Sequence, residues 1–257
     1  MSIDARAVID PEARLGDDVS IGPFSIIGPG VEIGSGCRIG PHVVINGPTR
    51  IGRDNRIFQF ASIGEIPQDK KFHGESSTLV IGDRNTIREF VTINRGTEEG
   101  GGITRIGNDN WLMAYIHIAH DCLIGNHTTF SNGASLAGHV RVDDHAILAG
   151  FTLVHQFCRI GENAFCGMGS AISKDVPPYV MVSGNPAHPY GINTEGLKRR
   201  GFDKEDLRVL KEAYRIVYRS GLTTESARER LAPLAEDTPA ITRLIDFLRA
   251  STRGIIR

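Results

Sequence analysis

The sequence predicts a mainly β chain: a parallel β-helix of hexapeptide repeats over residues 1–178, followed by an extended connection and an α-helical region over 179–257. Three observations carry this. A hydrophobic residue recurs every six positions. Glycine commonly follows it. The beat stops at Val176-Pro177-Pro178, after which the apolar spacing becomes helical.

Every sixth residue from Ile3 to Ile63 is aliphatic. The beat returns at Ile81, Ile87 and Ile93, then runs from Ile106 through Leu112, Ile118 and Ile124 to Ile172. Of its 26 positions, 24 are Ile, Leu or Val, the others being Phe130 and Cys166. Neither a helical period nor strand alternation explains that spacing; a fixed short repeat is the mark of a solenoid. Glycine after the beat, as in Ile21-Gly22, Ile33-Gly34, Ile51-Gly52 and Ile106-Gly107, points to tight positive-φ corners there. Four residues after the beat sits a small or β-branched residue, such as Val19, Ser25, Ala61, Val91 or Ala134, suited to short strands. Cys37, Cys122 and Cys158 hold that small position and Cys166 lies on the beat, so all four are expected to be buried small hydrophobes. The chain has no Cys-x-x-Cys pair, and a reducing cytoplasm is the simplest compartment.

Two stretches break the rhythm. Residues 65–78 are polar with Pro67 and Gly74, and residues 97–103 shift the beat by one. Long loops leaving a rigid scaffold commonly carry binding residues, the plainer alternative being a solvated excursion. Beyond Pro178, Asp203 can cap a helix with Leu207, Leu210, Tyr214, Val217 and Tyr218 on its apolar face, ending near Gly221. Thr224 opens a second helix, and Thr238-Pro239 a third carrying Ile241, Leu244, Ile245 and Leu248.

The net charge of −1 over 257 residues speaks against a general nucleic-acid-binding surface. Met1–Arg6 shows no apolar signal region and no run approaches eighteen apolar residues, so neither secretion nor stable membrane insertion is expected.

The repeats resemble the left-handed β-helix family of hexapeptide transferases, in which three hexapeptides close one triangular coil of eighteen residues. The repeats would then make roughly nine coils, a prism about 40 Å long at ~4.8 Å per coil. The left hand is implied by the resemblance; the usual rule for parallel crossovers favours the right. Residues eighteen apart then stack in columns. His120, Gly138 and Gln156 form one, and Asp121, His139 and Phe157 the next, with His117 and His155 close by. Histidine suits proton transfer near neutral pH, and a glycine N–H can approach an oxyanion unobstructed. Three readings compete for the cluster: general-base acyl transfer, zinc binding as in carbonic-anhydrase-like β-helices, and plain surface decoration.

The string His117-Ile118-Ala119-His120-Asp121-Cys122, with Ala137-Gly138-His139, Val154-His155-Gln156-Phe157 and Asn193-Thr194-Glu195-Gly196-Leu197-Lys198-Arg199-Arg200-Gly201-Phe202, resembles the UDP-N-acetylglucosamine O-acyltransferases, over essentially the whole chain. That family opens lipid A biosynthesis. The resemblance implies a cytoplasmic homotrimer with sites between subunits. It transfers a 3-hydroxyacyl group from acyl carrier protein to the glucosamine 3-hydroxyl of UDP-N-acetylglucosamine, with no cofactor, metal or acyl-enzyme. It implies His120 as general base, Asp121 as its support and Gly138 N–H as oxyanion donor. It assigns Gln68, Asp69, Lys71, His117, His139, His155 and Gln156 to the sugar nucleotide. Asn193, Glu195, Arg199 and Arg200 match the segment that reaches the nucleotide from an adjacent subunit, arginine forks suiting a diphosphate; the plainer alternative for Lys198–Arg200 is a solvated basic turn. Asn94 stands where many relatives carry histidine. Met168 stands where some carry glycine, implying a shorter acyl groove and a 3-hydroxydecanoyl donor. Alternatives are the related N-acyltransferase of the same pathway, which takes a 3-amino acceptor and would carry a further domain ahead of the repeats, a zinc-dependent β-helix enzyme, and a β-helical scaffold.

Overall fold

The computed structural model describes residues 2–257. Strands of two to five residues follow one another, through the prism in threes, as in His117–Ile118, Leu123–Ile124 and Thr129–Phe130. They sort into three sheets of 11, 9 and 8 strands, all parallel except for one closing hairpin. The first face holds Thr129–Phe130, the second His117–Ile118 and the third Leu123–Ile124, and the chain turns a corner between each. Along the second face Ile118 pairs with Leu136, Leu136 with Val154 and Val154 with Ile172, in the eighteen-residue register of one coil. The two insertions stretch that register: Ile57 pairs with Ile87, and Ile87 with Leu112.

The beat fills the prism. From Ile21 to Ile172 its residues are buried, and the small residues four positions later close the gaps between them. The exceptions are at the open end, where Ile3 is 40% exposed and Ile9 and Leu15 are only partly covered. Among the described residues no further coil packs beneath them. All four cysteines are buried and unpaired, and burial pushes the Cys122 and Cys166 thiols up to about 12.

Apart from Gly64, at φ 76°, the glycines after the beat do not have positive φ. The positive-φ corners fall three residues after the beat and are held by Asp18, Phe24, His42, Asp54, Phe60 and their counterparts, with φ between 55° and 70°. The beat glycines answer a different constraint. A Cβ on Gly34 would sit 2.6 Å from the Gly52 carbonyl oxygen, and one on Gly107 2.5 Å from that of Gly125. Stacked backbones simply leave no room for a side chain.

The first face also outlasts Pro178. Val180–Ser183 pairs in parallel with Phe165–Cys166, and His188–Ile192 returns antiparallel to it. Pro177 and Pro178 occupy the corner between the third-face bridge at Val176 and this strand, not a sheet interior, so they turn the chain without ending the pairing. Four helices follow: α1 (Thr194–Arg199), α2 (Lys204–Arg219), α3 (Thr224–Ala235) and α4 (Pro239–Ala250). Asp203 caps α2 in a reciprocal capping box with Asp206, and Pro239 opens α4. The short helix α1, capped by Asn193, carries no apolar period that would have announced it. No described helix is long and apolar enough to cross a membrane.

One edge is decorated. Between the first and second faces Phe24, His42, Phe60, Phe90 and Tyr115 stack at centroid spacings of 4.8–5.4 Å, and Phe24, Phe60, Phe90 and Tyr115 are largely exposed.

Candidate active site

The site lies on the edge between the second and third faces, where both insertions leave the prism. The coil requires a left-handed residue at that corner, and Asp121 takes it at φ 61°, a conformation aspartate tolerates better than most residues. Its side chain is 1% exposed. The His120 imidazole Nδ1 lies 2.7 Å from Asp121 Oδ2. The same carboxylate accepts the Thr97 backbone N–H at 2.8 Å and the Thr97 hydroxyl at 2.7 Å, while the Asp121 N–H donates to Thr104 Oγ1. With Thr97 donating to both of its oxygens, the carboxyl group is set up as an acceptor, and it pairs with the His120 tautomer that carries its proton on Nδ1. Nε2 is left as the free lone pair.

Gly138 bears on the site through its missing side chain. A Cβ there would fall 2.5–2.7 Å from His120 Cε1 and Nε2, so the glycine is what lets the ring lie against the next coil. His139 packs edge-on to His120 at 5.1 Å and flat on Phe157 at 4.4 Å. From the first insertion, Asp69 Oδ2 reaches within 3.9 Å of His120 Nε2. Lys71 of that insertion pairs with Glu99 of the second, and the two loops enclose a pocket of about 460 Å³ lined by Asp69, Lys71, Phe72, His73 and Thr97–Glu99. His117 accepts or donates to the Thr92 hydroxyl at 2.7 Å.

His120, Asp121 and His139 also place three candidate ligand atoms within 4.8 Å of one another. The donor set fits a metal poorly. Two ligands of a tetrahedral zinc lie about 3.3 Å apart, whereas His120 Nδ1 and Asp121 Oδ2 are at hydrogen-bond distance and both carboxylate oxygens already accept from Thr97.

Comparison with known proteins gives the family of the chain. Residues 175–256 match the model of the second domain of the UDP-N-acetylglucosamine O-acyltransferases, and residues 12–47 and 103–138 the bacterial transferase hexapeptide model. Curated relatives named acyl-[acyl-carrier-protein]–UDP-N-acetylglucosamine O-acyltransferase include those of Halorhodospira halophila, 60% identical over 99% of both chains, and Thiobacillus denitrificans, 57% identical over 100% of this chain and 99% of that one. The solved LpxA structure from Acinetobacter baumannii superposes with a TM-score of 0.98 at 48% identity over 100% of both chains. The chain belongs to the UDP-N-acetylglucosamine O-acyltransferase family. Its prism is the left-handed parallel β-helix of the hexapeptide transferases.

Within this family member the remaining expected residues do not converge. His155 and Gln156 lie one coil beyond His139 on the same edge and are exposed. Met168, 74% exposed, lies on the edge between the first and second faces. The Asn193–Arg200 segment lies on the third edge: Asn193 Nδ2 donates to the Asn163 carbonyl, and Arg200 donates to His145 Nε2 at 2.7 Å. Asn193 caps α1, Glu195 pairs with Lys198, and Arg199 is exposed. A single chain thus distributes its candidate residues over all three edges of the prism. Asn94, in the position where a histidine was expected, is buried and ties down the first insertion by donating to the Ile66 carbonyl at 2.7 Å. Sequence reasoning missed Thr97, Thr104 and Gly100, because nothing in their spacing marks them as neighbours of Asp121.

Burial, and next the positive end of any protonated His120, holds His117 below the ordinary imidazole value of 6.5; burial does the same for His139, against the pull of Asp121. Both rings are therefore neutral in the folded protein near pH 7. Their folded values are depressed, so the unfolded chain takes up protons first as pH drops below 6.5, and the stability they contribute is lost over that range. Urea unfolding between pH 7.5 and 5 should show stability falling with pH, and a His117→Gln, His139→Gln double variant should show a shallower fall. An unchanged slope would mean that these rings titrate normally.

Proposed function

We propose that the protein transfers a 3-hydroxyacyl group from acyl carrier protein to the glucosamine 3-hydroxyl of UDP-N-acetylglucosamine, the first step of lipid A biosynthesis, in the cytoplasm. The observation that carries the mechanism is the His120–Asp121 contact at 2.7 Å, in which a buried, hydrogen-bonded carboxylate presets the imidazole as a base. His120 Nε2 takes the proton of the sugar hydroxyl. The resulting alkoxide attacks the thioester carbonyl, and the Gly138 N–H stabilises the tetrahedral oxyanion. Collapse breaks the carbon–sulfur bond, and the departing thiolate takes the proton back from His120. Asp69, Gln68, Lys71, His117, His139, His155 and Gln156 hold the sugar nucleotide. Neutral His117 and His139 suit that task, since each offers both a donor and an acceptor.

The enzyme acts as a homotrimer. A base on one edge, Met168 on a second and the Asn193–Arg200 segment on a third meet only if another copy brings its edges to the first. The exposed ladder from Phe24 to Tyr115 and the apolar Val8, Ile26 and Leu153 of the second face supply an uncovered surface for that contact. In this arrangement Arg199 and Arg200 clamp the diphosphate of a neighbour's substrate, and the thioether of Met168 shortens the acyl groove, which favours 3-hydroxydecanoyl over 3-hydroxymyristoyl donors.

Three measurements test this. Acyl transfer from 3-hydroxydecanoyl carrier protein should proceed with a metal chelator present and fall about 10²–10⁴-fold in His120→Ala, the usual worth of a positioned base; chelator-sensitive turnover would return the cluster to zinc chemistry. Met168→Gly should shift donor preference towards the longer chain, and a wild type that already prefers 3-hydroxymyristoyl would refute the groove assignment. Finally, co-refolding equal amounts of inactive His120→Ala and Arg200→Ala chains should restore about a quarter of wild-type sites, because random trimers pair an intact His120 with a neighbour's intact Arg200 at that frequency. No recovery would place both residues in one chain's site.

A further inference from the structure

We propose that Thr97 is a positioning residue for the acyl-transfer step, and that the second insertion exists to bring it there. The inference rests on the general-base role given above to His120. Thr97 is itself 5% exposed and lies at the mouth of the insertion, as the N-cap of the single turn Glu98–Gly100. It contributes two donors to one carboxylate: its backbone N–H to Asp121 Oδ1 and its hydroxyl to Asp121 Oδ2.

The hydroxyl has one proton, and the turn dictates where it goes. The Gly100 N–H donates to Thr97 Oγ1 at 3.2 Å, occupying a lone pair and leaving the proton to point at Asp121. The turn also closes over the acid. A Cβ at Gly100 would fall 2.0–2.3 Å from the Asp121 carboxyl atoms, so only glycine admits this approach. Water is thereby kept off a side chain that is 1% exposed. Oδ2 is shared between the Thr97 hydroxyl and His120 Nδ1, both at 2.7 Å. Thr97 therefore sets two properties of the base at once. It fixes the carboxylate plane, hence the ring direction, and it draws part of the negative charge away from the imidazole. Without the hydroxyl that charge concentrates on His120 and favours its protonated, inactive form.

The experiment compares wild type, Thr97→Val, Thr97→Ser, His120→Ala and the Thr97→Val, His120→Ala double variant, with acyl carrier protein thioester and UDP-N-acetylglucosamine as substrates. Valine keeps the shape and the backbone N–H and removes only the hydroxyl. The expected result is a loss of kcat of about ten- to a hundredfold, as for other outer partners of an active group, with KM for the sugar nucleotide within about twofold. The acid limb of the pH–rate profile should move to higher pH. Serine should recover most of the loss, and valine should cost nothing further in the His120→Ala background, since nothing is left to position. If His120→Ala turns over like wild type, the base assignment fails and the role of Thr97 fails with it. If His120→Ala is inactive but Thr97→Val keeps wild-type kcat and pH profile, Thr97 alone is rejected. A raised KM at constant kcat, or a loss that serine does not recover while the melting temperature drops, would make Thr97 a substrate contact or a purely structural residue.

Discussion

Everything in this molecule depends on the parallel register between successive coils. Each strand residue bonds its counterpart one coil away, as when the Gly22 N–H donates to the Ile39 carbonyl and the Gly125 N–H to that of Val142. Strand side chains alternate in and out, so a slip of one residue would turn the whole aliphatic beat towards water. The register also decides which residues are tolerated elsewhere. Glycines recur where backbones of adjacent coils nearly touch, and polar or aromatic residues recur where the corner demands positive φ. The repetition is thus one constraint expressed at several positions of the hexapeptide.

A perfectly regular coil is chemically monotonous, because each column sees only columns like itself. The site arises where two insertions interrupt this. They leave the prism on the edge that carries His120, and they fold back on it from the side, Asp69 towards Nε2 and Thr97 towards the acid behind Nδ1. The regular part supplies rigidity: Asp121 is locked at its corner by the Thr104 hydroxyl and by backbone pairing, and Gly138 gives the ring a flat surface to lie on. The Lys71–Glu99 pair joining the loops is exposed on both sides and contributes little by itself. Their geometry rests on the buried contacts of Thr97 and Asn94.

The beat, the insertions, three of the helices and the histidine column were all legible in the sequence, because each follows from a spacing. What was not legible depended on contacts between residues with no fixed separation. Asp121 and Thr97 are 24 residues apart across an irregular loop, and a corner residue's side chain direction cannot be read from its column. The interior amide ladder was hidden for a related reason. Asn55, Asn85 and Asn110 occupy positions where small residues are the rule, yet Asn85 donates to Asn55 Oδ1 and the Asn110 N–H donates to Asn85 Oδ1, so each amide replaces a backbone partner that the corner cannot provide. The proline pair misled in the opposite sense. It forbids a sheet interior, but the hexapeptide spends only part of its length in strands, and a corner accommodates both rings.

The distribution of residues over three edges bears on why the proposed catalyst would assemble at all. A prism packed with aliphatic side chains has no interior cleft, so opposite edges cannot approach one another without destroying the core. Folding therefore builds a stiff rod with the proposed base on one side and an arginine segment on another, and no motion within the chain joins them. The proposed trimer would solve this without strain. It would cover aromatic and aliphatic side chains that the monomer leaves in water, and it would place one copy's edges against another's at a distance fixed by two rigid bodies. On that proposal, the rigidity that would leave a lone chain incomplete is also what would hold a site made of two chains to the tolerance that proton transfer requires.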